Sequence, residues 1–361
     1  MLTQFAELLT LAAMKLLVLL CLLCLATGCY SAAAPTPYSV RQYPVTWTPA
    51  PPPTNPLPGP TATRVIQSTP GALPTRDPNA RVLPAAPRGS IGVWLEINAA
   101  SPKADPDLLA RAAIVVTDGS AAIARKGNQF LFLTTDQAAA EKLAPDVNGI
   151  ILARGAADNF AALSTLREQI KPRVLLTSAA VTDTQAIAQI LPNVDGILLE
   201  NFVRDADTPP EQFPDEAAWR QNVETLAGLG TNPDRIILTS TRFPEEPGRP
   251  LPLVQQWANF ALASFLLAAN NPHTFFGMPD SHVQPFMNVP ALNAQLGLPF
   301  GGMVKTNGVY QRRFARGLVL VNPSNEKRIL NLSRAYQNTL GEKFTALEIE
   351  PHTGLVLLNA E

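Results

Sequence analysis

Beyond position 29 the sequence contains no cysteine. Its three cysteines, Cys21, Cys24 and Cys29, all lie at the start of the chain. This excludes a disulfide framework and a cysteine-held zinc for everything that follows. Histidine is equally scarce. His273, His282 and His352 are the three, and they have no ligand spacing, so no metal is expected. No glycine-rich phosphate loop and no Gly-x-Ser-x-Gly elbow is found, so no cofactor is expected either. Charge is sparse and balanced, with 28 basic and 29 acidic residues and a net charge of −1. No basic cluster interleaved with aromatics occurs, which argues against nucleic acid as a partner. What remains is 46% hydrophobic, enough for a globular body with a substantial core.

The first segment reads as an export signal. Lys15 precedes an apolar run over residues 16–25, which is too short to span a bilayer with margin. Leu25-Ala26-Thr27-Gly28-Cys29 follows and resembles the bacterial lipobox, in which small residues precede a cysteine that is lipidated after cleavage. The expectation is a signal peptide over 1–28, an acylated (palmitate-type) Cys29 as the mature first residue, and an exported protein held on a cell membrane or surface. A diacylated cysteine buries enough methylenes for that anchorage. Residues 29–87 are rich in Pro, Ala, Thr and Ser, with Pro51-Pro52-Pro53 among them. Such a stretch reads as a disordered tether.

From Ile91 the texture changes. Eight short apolar runs begin at Ile91, Ala113, Gln129, Gly149, Arg173, Val194, Arg235 and Thr274. Runs of this kind read as strands buried on both faces. Helix-like stretches lie between them, notably residues 159–170, 183–191, 215–229 and 253–269. Asp183 is placed to cap the second. The alternation predicts a (β/α)8 TIM-like barrel over 88–306, with a doubly wound open sheet as the second choice. After Gly308 no helical period remains. Five strand-like runs separated by turns predict a small antiparallel C-terminal β-domain, a sandwich over 307–361. Gly301-Gly302 reads as loop.

Several segments resemble one family. Residues 260–268, 296–299, 313–324 and 351–358 look like the closing part of hypothetical glycosyl hydrolase family 15, a group related in fold to the endo-galactosaminidase barrels. The resemblance implies a glycoside-hydrolase-like barrel. It also implies two motifs at strand ends. One is present as Asp195-Gly196-Ile197-Leu198-Leu199-Glu200. The other should close the fourth strand with an aspartate, where this sequence has Ala153 and then Arg154.

Glycoside hydrolysis generally uses two carboxylates that flank the scissile bond. Barrel active sites sit where the strands end. Glu200 closes an apolar strand and is the first candidate for the proton donor. It also has a bland reading as a structural carboxylate paired with Arg204 or Arg242. For the second carboxylate the candidates are Glu96, on the face of its strand shared with Trp94, and Asp118, which also reads as a turn residue before Gly119. Asp136 reads as a helix cap. Asn201, Arg154, Trp94 and Asp280 are candidate substrate contacts, although Trp94 and Trp257 also suit a core and Asp280 a turn. Two functions follow as expectations. One is a surface hydrolase of polysaccharide. The other is a glycan-binding or structural envelope lipoprotein with a degenerate site. Either is read as a monomer whose partners are a glycan and, through the lipid, the membrane.

Overall fold

Short runs rich in branched apolar residues, buried on both faces, form eight strands. In the computed structural model these are β1 (Trp94–Glu96), β2 (Ile114–Thr117), β3 (Phe130–Thr135), β4 (Gly149–Leu152), β5 (Val174–Ala180), β6 (Gly196–Glu200), β7 (Ile236–Ser240) and β8 (Thr274–Gly277). The residues described are 80–97, 106–119, 129–135, 145–153, 160–205, 207–242, 251–279 and 289–360. All of them lie in the second of the two units of the chain, Gln42–Glu361. Each strand pairs in parallel with the next in sequence order. Val93 bridges Phe276 in parallel, and the Phe276 amide donates to the Gly92 carbonyl at 2.9 Å. The sheet therefore closes on itself, and the open-sheet alternative is set aside. The fold is a TIM-like barrel.

Alternation along the strands separates two cores. Trp94, Val116, Phe132, Leu176, Leu198 and Leu238 pack together inside the barrel. Their neighbours Leu95, Val115, Leu175, Ile197, Leu199 and Ile237 face the outer helices. The helices are α1 (Pro106–Arg111), α2 (Phe160–Gln169), α3 (Thr184–Ile190), α4 (Glu216–Leu229) and α5 (Leu251–Ala268). Aspartates start two of them: Asp183 accepts from the Ala186 amide at 3.0 Å, and Asp215 from the Ala218 amide at 2.8 Å. Each cap satisfies a backbone donor that the helix leaves open.

The N-terminal end of the barrel is closed by residues assigned above to the tether. Arg81 donates to the carbonyls of Arg167 (2.6 Å) and Arg173 (3.3 Å) and pairs with Asp195 at 3.1 Å. Pro84 is buried, Leu83 and Ala86 pack against the interior core, and the Ala86 amide donates to the Pro272 carbonyl at 2.7 Å. The packed body thus begins by Arg81, not at Arg88. Proline does not prevent this, because these residues use side chains and a few backbone groups and need no strand ladder.

The C-terminal part is one six-stranded antiparallel sheet. Its strands are β9 (Pro299–Thr306), β10 (Val309–Phe314), β11 (Gly317–Asn322), β12 (Arg328–Gln337), β13 (Lys343–Ile349) and β14 (Thr353–Asn359), in the order β13-β12-β14-β11-β10-β9. One face, with Val319, Val321 and Val356, belongs to the same core as α5. The other face, with Leu318, Leu320 and Leu357, packs with Leu330, Phe344 and Leu347 of the β12–β13 hairpin. The core that holds α5 contains both outward barrel residues and this sheet face, so the helix is covered on two sides, which explains why it is apolar almost all round. Arg312 of β10 is buried and donates to the carbonyls of Leu266, Leu267 and Ala269 at 3.1, 3.2 and 2.9 Å. It thereby caps the C-terminal end of α5. Burial pulls its guanidinium down to about 10, still charged at neutral pH. Strand β9 contains Gly301 and Gly302, read above as loop. It is an edge strand and mostly exposed, so no core-facing pattern is written in its sequence.

Candidate functional site

Inward and outward positions on each strand are fixed by the period of two. Leu198 lies in the barrel interior, so Glu200 points to the same interior at the C-terminal mouth. Trp94 does likewise for Glu96 on β1. On either side of Glu200 the same level holds small residues. Ala180 of β5 is in register with it, and Ser240 of β7 follows the registered pair Leu199–Thr239. Ser240 is in turn opposite Gly277 of β8. Backbone bonds fix the end of β6: the Val181 amide donates to the Glu200 carbonyl at 3.0 Å, and the Phe202 amide to the Ser240 carbonyl at 2.9 Å. Asn201 then turns the chain sharply at φ 59°, a left-handed conformation that asparagine tolerates better than most residues. Asn201 is half-buried directly beside Glu200.

Glu200 is partly exposed, and among the described residues no hydrogen bond or ion pair reaches its carboxylate. The arginines considered as its partners are used elsewhere. Arg242 Nη2 lies 3.6 Å from Glu96 Oε2. Arg204 donates to the carbonyls of Arg242, at 2.7 Å, and of Thr208, and stands over the Trp257 ring at 5.7 Å. The mouth therefore presents one carboxylate without a cationic neighbour among the described residues, and one ion-paired across the β7 end.

The remaining candidates fall in different places. Asp118 follows β2, is exposed at the rim, and precedes Gly119 at φ 81°. The Gly119 amide donates to Thr117 Oγ1 at 3.1 Å, which makes this a turn. Trp94 is not a sugar platform in this structure. It is 2% exposed inside the barrel, and its Nε1 donates to the Thr239 carbonyl at 2.9 Å. The strand period that aims Glu96 at the mouth puts Trp94 one level down, in the core. Trp257 is also core, stacked on Phe213 with ring centroids 3.9 Å apart. Ala153 follows β4 and is exposed where the family resemblance expects an aspartate. Arg154, Asp280, Asp136 and Cys29 lie outside the described residues.

The Asp-Gly-x-x-x-Glu motif divides between the two ends of β6. Asp195 precedes the strand and is buried at the opposite end from the mouth. It accepts from Arg167 Nη2 (2.7 Å) and Nε (2.8 Å), Arg81 Nε (3.1 Å) and the Leu175 amide (2.9 Å). This aspartate fastens α2, the N-terminal segment and β5 together. Two residues went unnoticed in the sequence, Ser178 and Ser240. Both are buried, and among the described residues neither hydroxyl has a hydrogen-bond partner. Their signal was available: each stands two residues beyond an interior leucine. Among the described residues no group of three or more His, Cys, Asp and Glu could hold a metal.

Three solved structures show a distant likeness to this chain. SrfJ from Salmonella typhimurium is 9% identical, with 80% of this chain and 94% of that one covered and a TM-score of 0.43. An Anoxybacillus α-amylase is 11% identical, with 60% and 59% covered and a TM-score of 0.39. A β-L-arabinopyranosidase from Geobacillus stearothermophilus is 10% identical, with 60% and 58% covered and a TM-score of 0.41. The chain thus spans less than two thirds of the last two. No curated protein matches the sequence. The family described as hypothetical glycosyl hydrolase family 15 matches residues 129–318, more than half of the chain, and includes β3 to β8 and the start of the C-terminal sheet. This chain therefore belongs to hypothetical glycosyl hydrolase family 15.

Proposed function

We propose that this protein is an exported lipoprotein that acts on polysaccharide at the mouth of its barrel, with Glu200 as proton donor and Glu96 as the second carboxylate. The observation that carries the reading is the inward placement of both glutamates at the strand ends, within a glycosyl hydrolase family. Barrel enzymes work at that face. Glu96 and Glu200 stand on β1 and β6, separated by β7 and β8. Neighbouring strands are about 4.8 Å apart. Side chains that lean inward from these positions can flank a glycosidic bond. Arg242 pairs with Glu96 at 3.6 Å, and a charged carboxylate is what a nucleophile or a base for water requires. Asn201 and Arg154 are proposed to contact the bound sugar, Asp280 and Asp118 to border it. The anchor is the lipidated Cys29, which holds the body at a membrane or cell surface.

A second reading is favoured by Ala153, which stands where the family resemblance expects an aspartate. In that reading the mouth binds glycan without cleaving it. One experiment separates the two. Full-length wild type, Glu200→Gln and Glu96→Gln are incubated with insoluble bacterial and plant polysaccharides, and both retention and released reducing sugar are measured. Release by wild type that falls at least a hundredfold in Glu200→Gln supports hydrolysis, in keeping with general acid catalysis of about 10²–10⁴-fold. Retention without release supports binding. Neither retention nor release on any polysaccharide contradicts both.

A further inference from the structure

Among the described residues, large apolar side chains left in water are few, and single ones need no explanation. Three of them form a row. Leu298, Phe300 and Val304 are 53, 64 and 56% exposed, the first just before the edge strand β9 and the others on it. The register puts them on one face. Phe300 is opposite Arg313 and Val304 opposite Gln311, and the Ala315 amide donates to the Leu298 carbonyl at 2.9 Å. Arg313 and Gln311 are in turn opposite Leu318 and Leu320. This is the sheet face turned away from α5, beyond the cover of the β12–β13 hairpin. Lys305 points to the other face, where it meets Glu216. Gly301 and Gly302 add no side chain to the row, and a Cβ at either would meet nothing within 4 Å. Three exposed arginines border the row at its Leu298 end. Arg313 stands opposite Phe300, and Arg316 sits in the turn between β10 and β11. Arg334 Nη2 donates to Asn359 Oδ1 at 2.6 Å, and Asn359 Nδ2 to the Ala315 carbonyl at 3.3 Å, which holds Arg334 beside the same turn. None of the three arginines has an ion pair among the described residues.

We infer that this face docks on an anionic membrane surface. Leu298, Phe300 and Val304 enter the boundary between headgroups and acyl chains, and Arg313, Arg316 and Arg334 meet lipid phosphates. The inference uses the patch alone and needs neither Glu200 nor an acylated Cys29. Charge decides among the occupants. A second copy seated face to face would set the arginines of both copies against each other. Strand addition to β9 is opposed by the shift in register between Gln311 and Arg313, since a bulge twists an edge out of a regular ladder. An acidic polysaccharide would match the arginines, but Leu298 and Val304 offer a sugar no ring to stack on. An anionic bilayer matches both halves of the patch. Each arginine at its surface strengthens attachment about fivefold, and the apolar row leaves water.

The test is hydroxyl-radical footprinting of the full-length protein, with the oxidation rates of Leu298, Phe300 and Val304 read by mass spectrometry. Vesicles of phosphatidylglycerol are compared with vesicles of phosphatidylcholine, and flotation of the same samples is recorded. On phosphatidylglycerol the three rates should fall at least about fivefold below those on phosphatidylcholine. The double variant Arg313→Glu, Arg316→Glu should restore them. Salt at about 1 M, where the screening length is about 3 Å, should restore them in wild type, a check that needs no variant. No protection on phosphatidylglycerol overturns the inference. If the protein nevertheless floats with those vesicles, the anchor at Cys29 still stands. Equal protection on both lipids would remove the arginines from the contact and overturn it. So would protection by polygalacturonate with none by vesicles, which would assign the face to an acidic glycan. Protection that rises with protein concentration in the absence of vesicles would assign it to a second copy and overturn it as well.

Discussion

Asp195 and Glu200 belong to one short motif, yet they lie at opposite ends of β6 and do different work. Asp195 is enclosed by two arginines and a backbone amide. Asp195→Asn keeps the volume and removes the charge, which leaves Arg167 and Arg81 with only the exposed Glu168 as counter-ion. The expected cost is about 3–5 kcal/mol, read by chemical denaturation, with sugar binding by the folded fraction unchanged. A second single-residue test concerns Gly277. A Cβ there would overlap the indole of Trp94, whose Nε1 is tied to the Thr239 carbonyl. Gly277→Ala should destabilise by about 1–3 kcal/mol, the usual scale for overpacking. A neutral result would show that the indole can move aside. At this scale the sequence was informative about orientation and poor about partners. The period of two already aimed Glu96 and Glu200 to one end. Nothing in the spacing says that Arg242 meets Glu96, because that pair joins the first strand to the loop after the seventh. Trp94 shows the same limit: alternation placed it on the face of Glu96 but not at its depth.

Among the elements, the segment before β1 carries the clearest test. A chain that begins at residue 88 loses the Arg81 contacts and the buried Pro84. One that begins at residue 79 keeps both. The first should melt well below the second, by about 3 kcal/mol or more in stability, since Asp195 loses one of its two arginines. Equal melting points would mean that the segment merely rests on the barrel. A second test concerns the join between α4 and the sheet. Glu216, in the first turn of α4, accepts from Lys305 of β9 and from the Tyr310 hydroxyl of β10, the latter at 2.7 Å. The Lys305 ammonium first, and then Tyr310, hold its carboxyl below the ordinary 4.5. Burial first, and then the same contact, push the Tyr310 phenol up to about 12. A depressed carboxylate stabilises the fold above its unfolded value and ceases to do so as pH falls through its folded value. Glu216→Gln should therefore lower stability at pH 7 by about 0.5–1 kcal/mol, after allowance for solvent screening. The difference from wild type should close as pH drops below 4.5, and a constant difference across that range would contradict the assignment. The eight barrel strands were visible in the sequence because each is buried on both faces and reads as an apolar run. The edge strand β9 was not, because most of its residues face solvent. The turn around Asn322 falls within residues 313–324, one of the segments that carry the family resemblance. In the structure Asn322 Nδ2 donates to the carbonyls of Glu326, Ile349 and Glu350 at 2.8, 3.1 and 3.0 Å.

For the molecule as a whole, the barrel closes around an apolar interior and the C-terminal sheet shields its most hydrophobic helix. The mouth is left as the place where inward polar groups gather: Glu96, Glu200, Ser178 and Ser240. Such a gathering is legible in a sequence only when the closure of the barrel is known, since closure brings β1, with Glu96, round to the side of β6 and β7. The central claim is that a sugar occupies this mouth against Glu200. A crystal structure of the Glu200→Gln variant, with an oligosaccharide retained by wild type, tests it most directly. The expected result is a glycosyl unit at the mouth, with a glycosidic oxygen within hydrogen-bond distance of residue 200. Sugar bound only on the outer helices or on the C-terminal sheet, with none at residue 200, would contradict it.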